Sequence, residues 1–73
     1  MCIASAKNIT MAMRIRDALV RGGISAEIVS VDPSLTRRGC AYGVSFPCEY
    51  EWQVKRILGS RKIEYGDIIG GRR

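Results

Sequence analysis

The sequence predicts an α+β fold in which an antiparallel sheet carries two helices on one face. Two segments, 9–21 and 48–58, repeat apolar residues at the three- and four-residue spacing of a helix. Around them lie short stretches rich in β-branched and aromatic residues that alternate as strands do. A composition of 47% hydrophobic and 26% charged residues is typical of a folded domain and argues against a disordered chain.

The first half of the chain predicts strand, helix and strand. Residues 2–6 are small and apolar, and Asn8 is suited to cap the helix that follows, because its side chain can accept a backbone N–H bond. The helix over 9–21 ends at a pair of glycines. Residues 26–31 are rich in Ile and Val and predict the second strand.

The second half of the chain predicts strand, helix and strand again. After a single turn over 33–38, alternation over 40–46 predicts the third strand. The second helix covers 48–58 and is expected to end at Gly59, and 62–69 contains a short last strand with a turn or bulge around Gly66. The βαββαβ order is that of ferredoxin-like folds, with two helices over one face of the sheet.

We expect one domain over 1–73, with a structured core at about 2–69 and a flexible tail at 70–73. No apolar stretch approaches the roughly 20 residues of a membrane span, and no charged leader precedes a hydrophobic run, so we predict a cytoplasmic protein with no membrane partner. A core this small would gain from a homodimer, and the sequence leaves the oligomeric state open.

The formal charge of +5 raises encounter rates with acidic partners. The basic residues are scattered, and the pairs Arg37-Arg38 and Arg72-Arg73 are not interleaved with aromatic residues. The sequence therefore disfavours nucleic acid as a partner.

The strongest candidate for chemistry is Cys40, which follows Arg37, Arg38 and Gly39 at the mouth of the third strand. Two guanidinium groups and exposed N–H groups stabilise a thiolate and lower the pKa of a thiol below its free value of about 8.5. The alternative is packing, because cysteine is among the most buried residue types and alternation places Cys40 on the apolar face of its strand.

The other two cysteines have weaker claims. Cys48 lies at the start of the second helix, where the dipole favours a thiolate, and it could resolve a sulfenic acid or persulfide on Cys40 or simply pack. Cys2 is expected to be structural. An odd number of cysteines without a secretion signal favours three free thiols over a disulfide scaffold.

Other site chemistries find little support in the sequence. There is no His and no CxxC spacing, so we predict no metal, and no GxGxxG or P-loop is present, so we predict no cofactor. Any chemistry should therefore be thiol chemistry. Trp52, on the polar side of the second helix, is expected either to anchor an interface or to lie half-covered by the tail.

Over nearly all of 2–69 the chain resembles the selenium/sulfur carrier-like family of small bacterial proteins. The resemblance is carried by three stretches: Gly22-Gly23-Ile24, Val31-Asp32-Pro33-Ser34-Leu35 and Gly39-Cys40-Ala41-Tyr42-Gly43-Val44. It implies that Cys40 holds an activated chalcogen, and that a sulfur or selenium donor protein and an acceptor protein are the partners. The family is distantly similar to TusA-type sulfur carriers, whose Cys-Pro motif this chain lacks.

The sequence and the resemblance together support two functions. In the first, Cys40 carries sulfur or selenium as a persulfide-type adduct, Arg37 and Arg38 stabilise the anion, and the protein is a carrier rather than a turnover enzyme. The alternative is a non-catalytic ferredoxin-like interaction module that binds a protein, a small ligand or RNA. A redox-sensing disulfide between Cys40 and Cys48 is a third hypothesis.

Overall fold

The computed structural model describes residues 1–32 and 41–70. Its elements follow the predicted order: β1 (Cys2–Ala6), α1 (Ile9–Arg21), β2 (Glu27–Ser30), β3 (Tyr42–Phe46), a 3₁₀ turn (Cys48–Tyr50), α2 (Glu51–Ser60) and β4 (Ile68–Ile69). The strands form one sheet in the order β2-β3-β1-β4, and each neighbouring pair is antiparallel. The predicted α+β fold with ferredoxin-like element order is confirmed.

The core lies between the sheet and the helices. In the register of β1 with β3, Cys2 is opposite Phe46 and Ala4 is opposite Val44, so these four side chains share one face of the sheet. All four are buried. Both helices pack on this face through their apolar stripes, and the fully buried helical residues are Ala12, Ile15, Leu19, Val54 and Leu58.

Helix α1 begins and ends where the sequence predicts. Asn8 Oδ1 accepts the N–H of Met11 at 2.9 Å, a bond that satisfies one of the free donors of the first turn. At the other end, the N–H of Gly22 bonds the carbonyls of Ala18 and Leu19. Gly23 then adopts φ 84°, a left-handed conformation that glycine takes without strain, and the chain turns toward β2.

Helix α2 differs from the prediction at both ends. The segment from Cys48 forms a separate 3₁₀ turn after Pro47, and the α-helix starts at Glu51. It also continues through Gly59, where the sequence predicts its end. The chain leaves the helix instead at Lys62, whose φ is 56°. The helix therefore ends at Ser60, one residue later than predicted, and the Ile63 N–H returns to the carbonyl of Leu58 at 2.9 Å.

The last strand lies within the predicted segment 62–69 but is short, because β4 covers only Ile68 and Ile69. The residues before it are fixed to the end of β1 by individual bonds. The N–H of Gly66 bonds the carbonyl of Ser5 at 2.8 Å, and the N–H of Ser5 bonds the carbonyl of Asp67 at 2.8 Å. The second strand is likewise shorter than the predicted 26–31.

The described helices are short and amphipathic. None of them, within residues 1–32 and 41–70, has the length and apolar character that a bilayer crossing requires.

Candidate functional site

The predicted site residues Arg37, Arg38 and Cys40 lie outside the described residues. The two residues that flank their segment are Asp32 and Ala41, and both are described. The N–H of Val31 bonds the carbonyl of Ala41 at 2.9 Å, which extends the β2-β3 ladder by one step. The segment that contains Cys40 therefore connects the two strands of the β2-β3 hairpin.

The end of β1 and the start of α1 also lie at this end of the sheet. Tyr42, the first residue of β3, pairs with Ser30 of β2 on one side and with Ala6 of β1 on the other. Since β1 runs antiparallel to β3, its last residue lies beside the start of β3, and α1 begins three residues later. The N-terminus of α1, where the helix dipole is positive, therefore lies at the same end of the sheet as the two residues that flank the Cys40 segment.

Ser5, near the end of β1, binds the backbone that precedes β4. Its side chain is fully buried, and its Oγ accepts the N–H of Asp67 at 2.7 Å. Together with the two backbone bonds between these stretches, this contact fixes the 66–67 backbone against the end of β1. The sequence-based predictions do not include this role of Ser5. A single polar residue within an otherwise apolar strand indicates a buried hydrogen bond, and this signal is present in the sequence.

The charge at this edge is mixed. Lys7 is exposed between β1 and α1, and the first turn of α1 contains no acidic residue. Asp32 and Asp67 bring carboxylates to the same end of the sheet. Lys7 and the positive end of the α1 dipole provide positive potential at this end of the sheet.

A scan of protein families matches the family described as "Putative Se/S carrier protein-like" over residues 1–69. The chain belongs to this family. No curated protein and no solved structure matches the chain. Membership in a carrier family implies protein partners in general.

In this member of the carrier family, Cys2 and Cys48 are joined by a disulfide, with their Cα atoms 4.9 Å apart. The prediction of three free thiols is therefore wrong for these two. The reason is the register of the sheet: Cys2 is opposite Phe46, and the chain turns at Pro47 so that Cys48 reaches the first residue of β1. The expectation that Cys2 is structural agrees with its burial, since it is 2% exposed.

The disulfide lies at the other end of the sheet from the Cys40 segment. Ala41 and Pro47 stand at opposite ends of β3, about 20 Å apart by the rise of an extended strand. The pairing of Cys48 with Cys40 stays a prediction, because Cys40 is outside the described residues.

Trp52 is 70% exposed on α2, which agrees with its predicted place on the polar side of that helix. The guanidinium of Arg56 lies 5.7 Å from the centroid of its ring. Among residues 1–32 and 41–70, no three His, Cys, Asp or Glu side chains come together as metal ligands.

Proposed function

We propose that the protein is a cytoplasmic carrier of sulfur or selenium, and that Cys40 holds the activated atom. The observation that carries the proposal is the sequence Arg37-Arg38-Gly39-Cys40 in a chain that belongs to the Se/S carrier family. The placement of the flanking residues supports it. Asp32 and Ala41 lie at the sheet edge from which α1 begins, so the segment between them starts and ends near a positive helix terminus.

The loading step is a transfer of sulfane sulfur. The Cys40 thiolate attacks the outer sulfur of a persulfide on the donor protein, a new S–S bond forms on Cys40, and the donor's S–S bond breaks. The electron pair of the broken bond leaves with the donor cysteine as a thiolate, and the hydrogen of the persulfide stays on the transferred sulfur. No external oxidant or reductant is consumed, because one persulfide replaces another.

Unloading reverses the roles. A nucleophile of the acceptor attacks the terminal sulfur, the S–S bond of the carrier breaks, and Cys40 is regenerated as a thiolate. In the proposal, Arg37 and Arg38 stabilise the thiolate before loading and after unloading, because guanidinium groups favour the charged form of a nearby thiol. The same chemistry applies to selenium.

The test is the pH dependence of alkylation of each cysteine in the native protein, without reductant, measured by mass spectrometry. Cys40 should react fastest, with an apparent pKa below the free value of about 8.5. Arg37→Gln/Arg38→Gln should raise that pKa, whereas Arg21→Gln/Lys55→Gln, which removes the same charge at the end of α1 and within α2, should change it little. A Cys40 that resists alkylation until the protein unfolds would overturn the proposal.

The exposure of Trp52 favours a second candidate function, a non-catalytic interaction module. The two candidates differ only in the role of Cys40. Slow alkylation of Cys40, together with partner binding that survives Cys40→Ser, would favour the module.

A further inference from the structure

A groove runs between the two helices on the side away from the sheet. Its volume is about 400 Å³, and the residues that line it include Ala18, Gly22, Gln53, Arg56, Ile57 and Arg61. The floor is apolar. A Cβ added at Gly22 would lie 2.8 Å from Ile57 Cδ1, so the glycine allows the end of α1 to contact α2 closely.

Two further hollows share lining residues with the groove. One, of about 290 Å³, shares Ala18 and Arg61 with the groove and adds Arg14 and Arg21. The other, of about 280 Å³, shares Arg56 and adds Trp52 and Lys55. We call the whole depression the arginine groove, defined by its four arginines, Arg14, Arg21, Arg56 and Arg61.

The charge of the protein is concentrated around this groove. Segments 9–21 and 51–62, which comprise the two helices and the turn after α2, contain seven of the 12 basic residues and two of the seven acidic ones. Basic and acidic residues are equal in number in the rest of the chain, so these segments account for the whole net charge of +5.

The two acidic residues of this layer are already paired. Asp17 Oδ1 lies 3.1 Å from the guanidinium of Arg16, and Glu51 Oε2 lies 3.3 Å from Lys55 Nζ. Within the part of the chain that the structure describes, no carboxylate forms an ion pair with any of the four groove arginines. Among the described residues, the four groove arginines therefore have no ion-pair partner, although Asp17 also lines the hollow that contains Arg14 and Arg21.

Trp52 places an exposed aromatic ring beside Arg56 of the groove. Its ring is exposed and lies against Arg56, and a cation over a tryptophan face holds the guanidinium in position. Tryptophan and arginine are the residues most enriched at sites that dominate binding energy.

We propose that the arginine groove binds an acidic peptide segment of a partner protein, with its carboxylates on the arginines and an aliphatic side chain on the floor formed by Ala18, Gly22 and Ile57. Guanidinium groups bind carboxylates through paired hydrogen bonds. A single-stranded nucleic acid would need a row of aromatic rings for successive bases, and the two helices offer only Trp52. The proposal deepens the carrier function by assigning the chemistry of its partner, and peptide binding itself does not require Cys40.

The experiment titrates the full-length protein with a short synthetic peptide of Asp, Glu and Leu, and follows the emission of Trp52, the single tryptophan of the chain. The acidic peptide should shift the emission and bind less tightly as salt rises. A matched peptide of Asn, Gln and Leu should not bind. Arg56→Glu/Arg61→Glu should weaken binding at least about tenfold. Circular dichroism checks that this variant folds, and Arg56→Gln/Arg61→Gln gives a milder version of the change.

The control is Lys7→Glu, compared with the single variant Arg56→Glu, because Lys7 lies outside the groove and both changes alter the net charge equally. It should weaken binding less than about twofold. Equal weakening by the control would overturn the proposal, because net charge alone would then explain binding. Absence of binding, or equally tight binding of a short oligothymidylate or of inorganic phosphate at the same arginines, would overturn it as well.

The Cys40→Ser protein separates the groove from the carrier proposal. It should bind the acidic peptide as tightly as the native protein. Peptide binding without sulfur loading in the native protein would leave the groove supported and the carrier function rejected, and the reverse result would reject the groove alone.

Discussion

The Sγ atoms of Cys2 and Cys48 are bonded across 46 positions of sequence, and the bond ties the buried first strand to the turn that precedes α2. Cys2 lies inside the core beside Phe46, whereas Cys48 is exposed at the surface. The link therefore connects the sheet to the helical layer at the end opposite the Cys40 segment. It also leaves Cys40 as the one cysteine outside this bond.

Reduction of this disulfide should destabilise the protein. A bond that closes a loop of this length restricts the unfolded chain, and the loop-closure model assigns it about 4 kcal/mol. That loss rivals the whole stability of a small domain. Urea unfolding followed by circular dichroism, with and without a phosphine reductant, measures it. The Cys40→Ser variant should show the same loss, and equal stability in both conditions would contradict the structure.

Replacement of the helix cap should lower stability by a smaller amount. Asn8→Ala removes the oxygen that accepts the Met11 N–H, and a lost cap of this kind costs about 1 kcal/mol. Asn8→Asp keeps an acceptor at the same position and adds a negative charge at the positive end of the helix, so it should retain or raise stability. Equal free energies of unfolding for the Ala and Asp variants would contradict the assigned cap.

Two glycine-to-alanine changes should act in opposite directions. A Cβ at Gly43 would lie 2.6 Å from Ile3 Cγ2 and 2.9 Å from Val31 Cγ2, with the carbonyl of Ala4 at 3.1 Å. These neighbours are β-branched methyl groups and backbone, which yield little, so Gly43→Ala should cost about 1–3 kcal/mol.

Gly59 is the matched control for Gly43. It lies within α2, and a Cβ there would meet nothing within 4 Å. Gly59→Ala should stabilise the protein by about 0.5–1 kcal/mol, because alanine favours the helix and loses less backbone entropy on folding. Thermal unfolding of the two variants compares them directly, and a destabilised Gly59→Ala protein would contradict the helix that continues through this residue.

The features that the sequence predicts well are local. Asn8 caps a helix whose apolar residues all lie within one segment, and the same spacing places Val54 and Leu58 in the core and Trp52 outside it. Such patterns depend on residues three or four positions apart, so they can be recognised without knowledge of the fold.

The features that the sequence does not predict depend on contacts between distant residues. Gly59 does not end α2, because Ile63 returns to Leu58 and the turn forms later. The stretch before β4 is fixed by bonds to Ser5, about 60 positions away, and not by its own alternation. The Cys2–Cys48 bond follows from the register of β1 with β3, which the composition of neither strand specifies.

The candidate site shows the same division. The sequence singles out Arg37, Arg38 and Cys40, and the family match supports the carrier function in general terms. The fold shows that Asp32 and Ala41, which flank the Cys40 segment, lie at the end of the sheet where α1 begins. It also shows that Cys48 lies beyond the opposite end of β3 from Ala41. The roles of the three predicted residues remain a proposal.

Sulfur loading of the native protein tests the central claim most directly. The protein is incubated with a cysteine desulfurase and cysteine, separated from the enzyme, digested without reductant and measured by mass spectrometry. We predict that the peptide containing Cys40 gains the mass of one sulfur atom, that a reductant removes it, and that Cys40→Ser abolishes the gain. Equal sulfur uptake by the Cys40→Ser protein would contradict the account.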